Sequence, residues 1–141
     1  MLKKFVYWTG MSDFVVGLAT WGGAVGVALA DPPVLGQFVP LVTLGTFLLM
    51  AAALLVWSSH DMATRAPVMF WQGLVRLSAI SAVVYAVPHQ LAYPWEYALL
   101  AIDGPIGLTY VIGAMKVTGC SFVELLQCKT TPGGRTPPAV G

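Results

Sequence analysis

The sequence predicts an all-α, polytopic membrane protein, a four-transmembrane-helix bundle with both termini in the cytoplasm. Hydrophobic residues make up 57% of the 141 residues and charged residues 9%, with a mean hydropathy of +0.78. A soluble domain has about 25% charged residues, so this chain lacks the polar side chains to cover a water-facing surface. Four apolar runs, each near the roughly 20 residues that cross a bilayer, occupy about 5–30, 37–57, 66–87 and 95–115. Lys3, Lys4, Arg65, Lys116, Lys129 and Arg135 all fall on one side of this arrangement, and the two opposite loops hold neither Lys nor Arg. The positive-inside rule assigns that side to the cytoplasm, and the membrane expected is a bacterial inner (plasma) membrane. An odd number of spans would divide the basic segments. A net charge of +1, with no basic stripe interleaved with aromatics, excludes a nucleic-acid surface.

The first span follows a short basic head and opens with Tyr7 and Trp8, residues suited to the membrane interface. Gly17, Gly22, Gly23 and Gly26 include a Gly22-x-x-x-Gly26 spacing that lets another helix backbone approach, with the protein's own helices as the expected partners. The same segment has a second reading. Lys3-Lys4, the apolar stretch and Ala28-Leu29-Ala30 before Asp31 outline a secretory signal peptide, although Asp13 and the long glycine-rich run depart from a plain h-region. Asp31-Pro32-Pro33 ends the span.

Span 2 contains no ionisable residue and is expected to be the lipid-facing helix of the set. A polar loop with His60, Asp61 and Arg65 leads to span 3, which Pro88 terminates. Tyr93 and Trp95 mark the other interface before span 4. Residues 118–129 carry Phe122, Val123, Leu125 and Leu126 with Glu124 and Lys129. They suit a short amphipathic segment on the membrane surface or, equally, one docked on the bundle. Residues 130–141, with their prolines and glycines, are expected to be a disordered tail. Cys120 and Cys128 form no CxxC or zinc pattern and read as two reduced thiols, with a disulfide or palmitoylation as alternatives.

The functional interest lies in charges inside the apolar runs. At about 1.5 Å per residue, Asp13 lies roughly 12 Å, Arg76 roughly 15 Å and Asp103 roughly 20 Å from the cytoplasmic ends, all within a hydrocarbon core of about 30 Å. A charge at that depth costs at least about 2.5 to 3.5 kcal/mol, so it faces other helices or a water-filled cavity. The most plausible partner of Arg76 is Asp103, with Asp13 second. Positions three and four apart share a helix side, which groups Gln72, Gly73, Ala79 and Val83 with Arg76, and Leu99, Gly107 and Tyr110 with Asp103. Asp13 shares its side with Gly17, Thr20 and Ala24. The expected site is a ligand-binding or structural polar seam of Arg76, Asp103, Asp13, Gln72 and Tyr110, built by spans 1, 3 and 4 with span 2 outside. Asp103-Gly104-Pro105 is expected to disturb span 4, because Pro105 cannot donate to the carbonyl of Ala101, and Arg76 is a candidate donor to that carbonyl.

His60 and His89 fall at opposite ends of the span pattern and are read as interfacial residues rather than shared metal or haem ligands. His60 with Asp61 and Arg65 could contact a phosphate, although such a loop is ordinarily just solvated. No G-x-S-x-G, Walker A or H-E-x-x-H signature is present, so hydrolase, NTPase and zinc-protease chemistry has no footing. The sequence identifies no catalytic residue, metal ligand or cofactor.

With its four short spans, Gly73-Leu74-Val75-Arg76 in span 3 and Ala101-Ile102-Asp103-Gly104 in span 4, the chain resembles the DoxX-like group of small bacterial four-helix membrane proteins. That resemblance implies an accessory membrane protein, linked in some members to thiol or quinone redox chemistry. The expectation is a non-catalytic accessory or scaffold subunit of a larger membrane assembly or homo-oligomer, in contact with membrane lipid and held by the buried Arg/Asp seam. The alternative is a lipid- or quinone-type ligand-binding or redox-linked membrane protein using the same seam. A small proton-coupled transporter using Asp13 comes third, because a neighbouring arginine would hold the carboxylate ionised and oppose proton exchange.

Overall fold

The computed structural model describes residues 1–32 and 35–132. In chain order the elements are α1 (Leu2–Ala28), α2 (Phe38–His60), α3 (Ala66–Ala86), a 3-10 turn at Pro94–Tyr97, α4 (Ala98–Thr118) and the short α5 (Phe122–Leu126). No strand occurs among the described residues. Four helical stretches, Leu2–Ala28, Phe38–His60, Ala66–Ala86 and Pro94–Thr118, are long and apolar enough to cross a membrane. The contacts divide the chain into two compact units, Met1–His60 and the chain from Asp61 onward.

The first unit is a helical hairpin. The buried residues of α1 are Val6, Gly10, Asp13, Gly17 and Ala24, spaced by three, four and seven, so they form one stripe along the helix. Those of α2 are Gly45, Ala51, Ala52, Leu55, Ser58 and Ser59. Small residues dominate both lists, and small residues let helix backbones approach where lipid offers no hydrophobic drive for association. A Cβ on Gly10 would meet Leu55 and Val56 at 3.1 Å, one on Gly17 would meet Leu49 at 3.0 Å, and one on Gly45 would meet Trp21 Cδ1 at 2.8 Å. Their antiparallel register puts Asp13 level with Ala52 and Ala53. Trp21 Nε1 donates to Thr46 Oγ1 at 3.1 Å across the hairpin. The buried hydroxyls of Ser58 and Ser59 donate to the carbonyls of Leu55 and Val56 at 2.8 and 2.7 Å. A hydroxyl bonded to its own helix carries no unmet donor into an apolar setting.

Helix α2 is the packing partner of α1, because the absence of ionisable residues does not prevent a helix from carrying a small-residue face. Against expectation, Gly22, Gly23 and Gly26 make no close approach, since a Cβ at each would meet nothing within 4 Å. The approach in α1 lies nearer its N-terminus, at Gly10 and Gly17.

The second unit pairs α3 with α4, and α5 packs on α3. Phe70 of α3 meets Phe122 of α5 edge to face, with centroids 5.0 Å apart, and Leu125 is fully buried. The segment after α4 is thus docked on the helices through the short helix Phe122–Leu126. Ser121 caps that turn reciprocally: it accepts from the Glu124 N–H, and its own N–H donates to Glu124 Oε2 at 2.8 Å. Of the tail, Pro132 comes to 3.5 Å from the Cβ position of Gly119, while residues 133–141 lie outside the described residues. Cys120 is buried and Cys128 exposed, both as free thiols.

Helix α4 runs from Ala98 to Thr118 with Pro105 inside it. Proline removes one backbone bond, whereas ending the helix would strand several polar groups in an apolar setting, so continuation is the lesser cost. Thr109 Oγ1 donates to the carbonyl of Pro105 at 2.7 Å one turn on.

The end of α3 makes a testable statement. Leu91 N–H donates to the Ala86 carbonyl at 2.9 Å and Gln90 N–H to the Val87 carbonyl at 3.1 Å, with Gln90 at φ 59°. This is the paired bonding of a Schellman cap with a side chain where glycine is preferred. Gln90→Gly should therefore stabilise the protein by about 0.5 to 1 kcal/mol, read as a rise in melting temperature in detergent.

Candidate functional site

The polar site is built by a crossing of two helix backbones. Gly73 on α3 and Gly107 on α4 face each other: a Cβ on Gly73 would lie 2.8 Å from the Gly107 carbonyl oxygen, and one on Gly107 would lie 3.1 Å from the Gly73 oxygen. No side chain fits between the two chains at that point. Because the helices run antiparallel, advancing one turn along α3 from Gly73 reaches Arg76, and stepping back one turn along α4 from Gly107 reaches Asp103. Both side chains therefore emerge on the same side of the crossing.

Arg76 Nη1 donates to Asp103 Oδ1. The side chains keep 15% and 20% of their exposure, so the pair is largely covered. The guanidinium carbon also sits 5.9 Å from the ring centroid of Tyr110, which is fully buried. Side chains on a helix lean toward its N-terminus, which carries Arg76 back over the level of Gly73 and onto that ring. A cation within about 6 Å of a tyrosine face gains roughly 0.5 to 2 kcal/mol. Arg76 thus bridges α3 to α4 twice, through a carboxylate and through an aromatic face.

Of the five residues expected in the seam, the second unit brings together Arg76, Asp103 and Tyr110. Gln72 lies one turn before Arg76 on α3 and is half-buried. Asp13 belongs to the first unit, where it is buried in the α1 stripe at 9% exposure. Ala79, grouped with Arg76 by spacing alone, is exposed, and the remaining α3 contacts to α4 glycines come from Leu77 and Ile80. A three-residue step accumulates about 60° of error from a full turn, which places Ala79 to one side of the contact line.

The arrangement is chemically simple. A guanidinium and a carboxylate neutralise each other between two apolar helices, with the Tyr110 ring against the guanidinium. Among the described residues no group of three His, Cys, Asp or Glu side chains is placed to hold a metal ion. His89 follows α3, where its ring stacks on Tyr85 at 4.3 Å and its Nδ1 lies 2.7 Å from the Tyr85 carbonyl oxygen. His60 is the last residue of α2. Sequence reasoning placed Gly17 on the Asp13 side of span 1 but missed the tight contacts at Gly10 and Gly45. Their signal is the spacing of small residues on two successive spans, which is ambiguous until the register of the hairpin is known.

Compared with family models, with curated proteins and with solved structures, the chain matches none.

Proposed function

We propose that the protein is a small integral membrane protein that serves as a non-catalytic accessory or scaffold subunit of a larger membrane assembly, with both termini on the cytoplasmic side of a bacterial inner membrane. The observation that supports this reading best is the closure of the Arg76–Asp103 pair between α3 and α4 beside a glycine crossing. An ion pair that joins two helices compensates its own charge and fixes their register, which is a structural task. The DoxX-like resemblance agrees with an accessory role.

Outside these contacts the long helices carry many large apolar side chains, among them Val15, Leu18, Val39, Leu44, Val84 and Ile102, each at least half exposed. Such surface requires lipid or other transmembrane helices around it. The test is affinity purification of the tagged chain in mild detergent, with quantitation of every protein that accompanies it. A companion in fixed stoichiometry, lost in Arg76→Ala and recovered in the swap Arg76→Asp/Asp103→Arg, is the expected result. A chain that purifies alone, unchanged in abundance by either single substitution, would overturn the assignment.

A further inference from the structure

At the open end of the first hairpin, where α1 begins and α2 finishes, Lys3, Lys4, Tyr7, Trp8, Ser59 and His60 line a cleft of about 480 Å³. The antiparallel register of the hairpin explains why these residues meet, since it sets Tyr7 level with Ser59. Tyr7 and Trp8 stand edge to face, with centroids 5.6 Å apart, and form the apolar wall. Lys3, Lys4 and His60 are exposed at the rim. Ser59 is buried on the floor, its hydroxyl hydrogen committed to the Val56 carbonyl.

The charge in this cleft is one-sided. Within the first unit the carboxylates are Asp13, more than one helical turn deeper, and Asp31, at the far end of the hairpin. The next acid in sequence, Asp61, accepts the backbone N–H of Thr64 at 3.3 Å in its own turn. Two ammonium groups and an imidazole over an aromatic wall are suited to a phosphate ester with an apolar body. Lysine binds phosphate as a flexible point charge, and tyrosine and tryptophan settle where headgroups meet acyl chains. The volume is in the range of a small-molecule pocket.

We propose that this cleft is a phosphate-binding site, occupied by the phosphodiester headgroup of an anionic phospholipid, with Lys3 and Lys4 on the phosphate, His60 as a further donor, and Tyr7 and Trp8 against the glycerol and upper acyl chain. The proposal rests on the membrane reading of the chain but not on its role in an assembly. The same chemistry would admit free inorganic phosphate, and the experiment separates the two sources.

The full chain is placed in nanodiscs of phosphatidylcholine containing a minor fraction of phosphatidylglycerol, and lipid retained through delipidation is counted by native mass spectrometry. The unmodified chain should keep one phosphatidylglycerol in preference to phosphatidylcholine. Lys3→Gln/Lys4→Gln should weaken that retention about tenfold or more, the scale expected for two lysines at a membrane surface. Lys116→Gln/Lys129→Gln removes the same charge elsewhere and should leave retention as it was. Circular dichroism of each variant verifies that the helices are intact, and Trp8→Ala, which keeps both charges, should also reduce retention by removing the wall. Equal losses in the two lysine pairs would show general electrostatics and overturn the site, as would undiminished retention in Lys3→Gln/Lys4→Gln. Displacement of phosphatidylglycerol by millimolar inorganic phosphate would overturn the lipid as the occupant.

Discussion

Arg76→Ala should destabilise the protein by about 2.5 to 3.5 kcal/mol, the scale for a lone charge held at the middle of a membrane helix, and Asp103→Ala should cost a comparable amount. Each substitution leaves the partner's charge in an apolar setting that its neighbour neutralises in the native chain, and breaking a buried pair is costlier than lacking one. The double variant Arg76→Leu/Asp103→Leu is the sharper measurement. It removes both charges and should melt in detergent at or above the temperature of either single variant, because apolar replacement of a closed pair is often neutral or favourable. A double variant at least as damaged as the worse single would mean that the charges serve something other than each other.

Gly73→Ala should cost about 1 to 3 kcal/mol and separate α3 from α4. Its methyl group would fall 2.8 Å from the Gly107 oxygen, 2.9 Å from Val111 Cγ2 and 3.0 Å from Tyr110 Cβ. Backbone on one side and a buried aromatic on the other cannot yield without moving a helix, and overpacking of a tight contact carries a penalty of about that size. The loss should propagate to the ion pair, since Arg76 and Asp103 meet only because the backbones cross one turn away. Gly22→Ala and Gly26→Ala provide the contrast. With nothing within 4 Å of either Cβ position, they should leave the melting temperature unchanged or raise it slightly through better helix propensity, up to about 1 kcal/mol per site. Thermal melting of the set checks all three, and a Gly73→Ala variant as stable as the native chain would remove the crossing from the account of the site.

The polar pair was legible because it depends on a scarcity. Few charged residues lie within the spans, and an arginine deep in one apolar run needs a carboxylate at similar depth on another. Asp103 satisfied that depth requirement without any knowledge of helix contacts. Gly73 and Gly107 were legible for a related reason, lying on the helix sides already marked by Arg76 and Asp103. Glycine spacing elsewhere misled. Gly22-x-x-x-Gly26 carries the stronger motif, yet Gly10 and Gly17, whose spacing spans two turns and whose neighbours are bulky, make the contact.

Apolar composition, the lengths of four runs and a few charges within them were enough, by themselves, to indicate an all-helical chain with four helices long and apolar enough to cross a membrane, and to put Asp103 first among the partners of Arg76. These are additive or local properties, and each can be summed along the chain without knowing which helix touches which. Tertiary structure alone decided that α2 is the partner of α1, that α5 docks through Phe122 and Leu125, and that Lys3, Lys4 and His60 share one cleft. Those facts depend on rotation and register between helices. In a chain whose helices are apolar on every side, hydrophobic periodicity does not mark the packed face, so only the fit of small residues against a particular neighbour selects it.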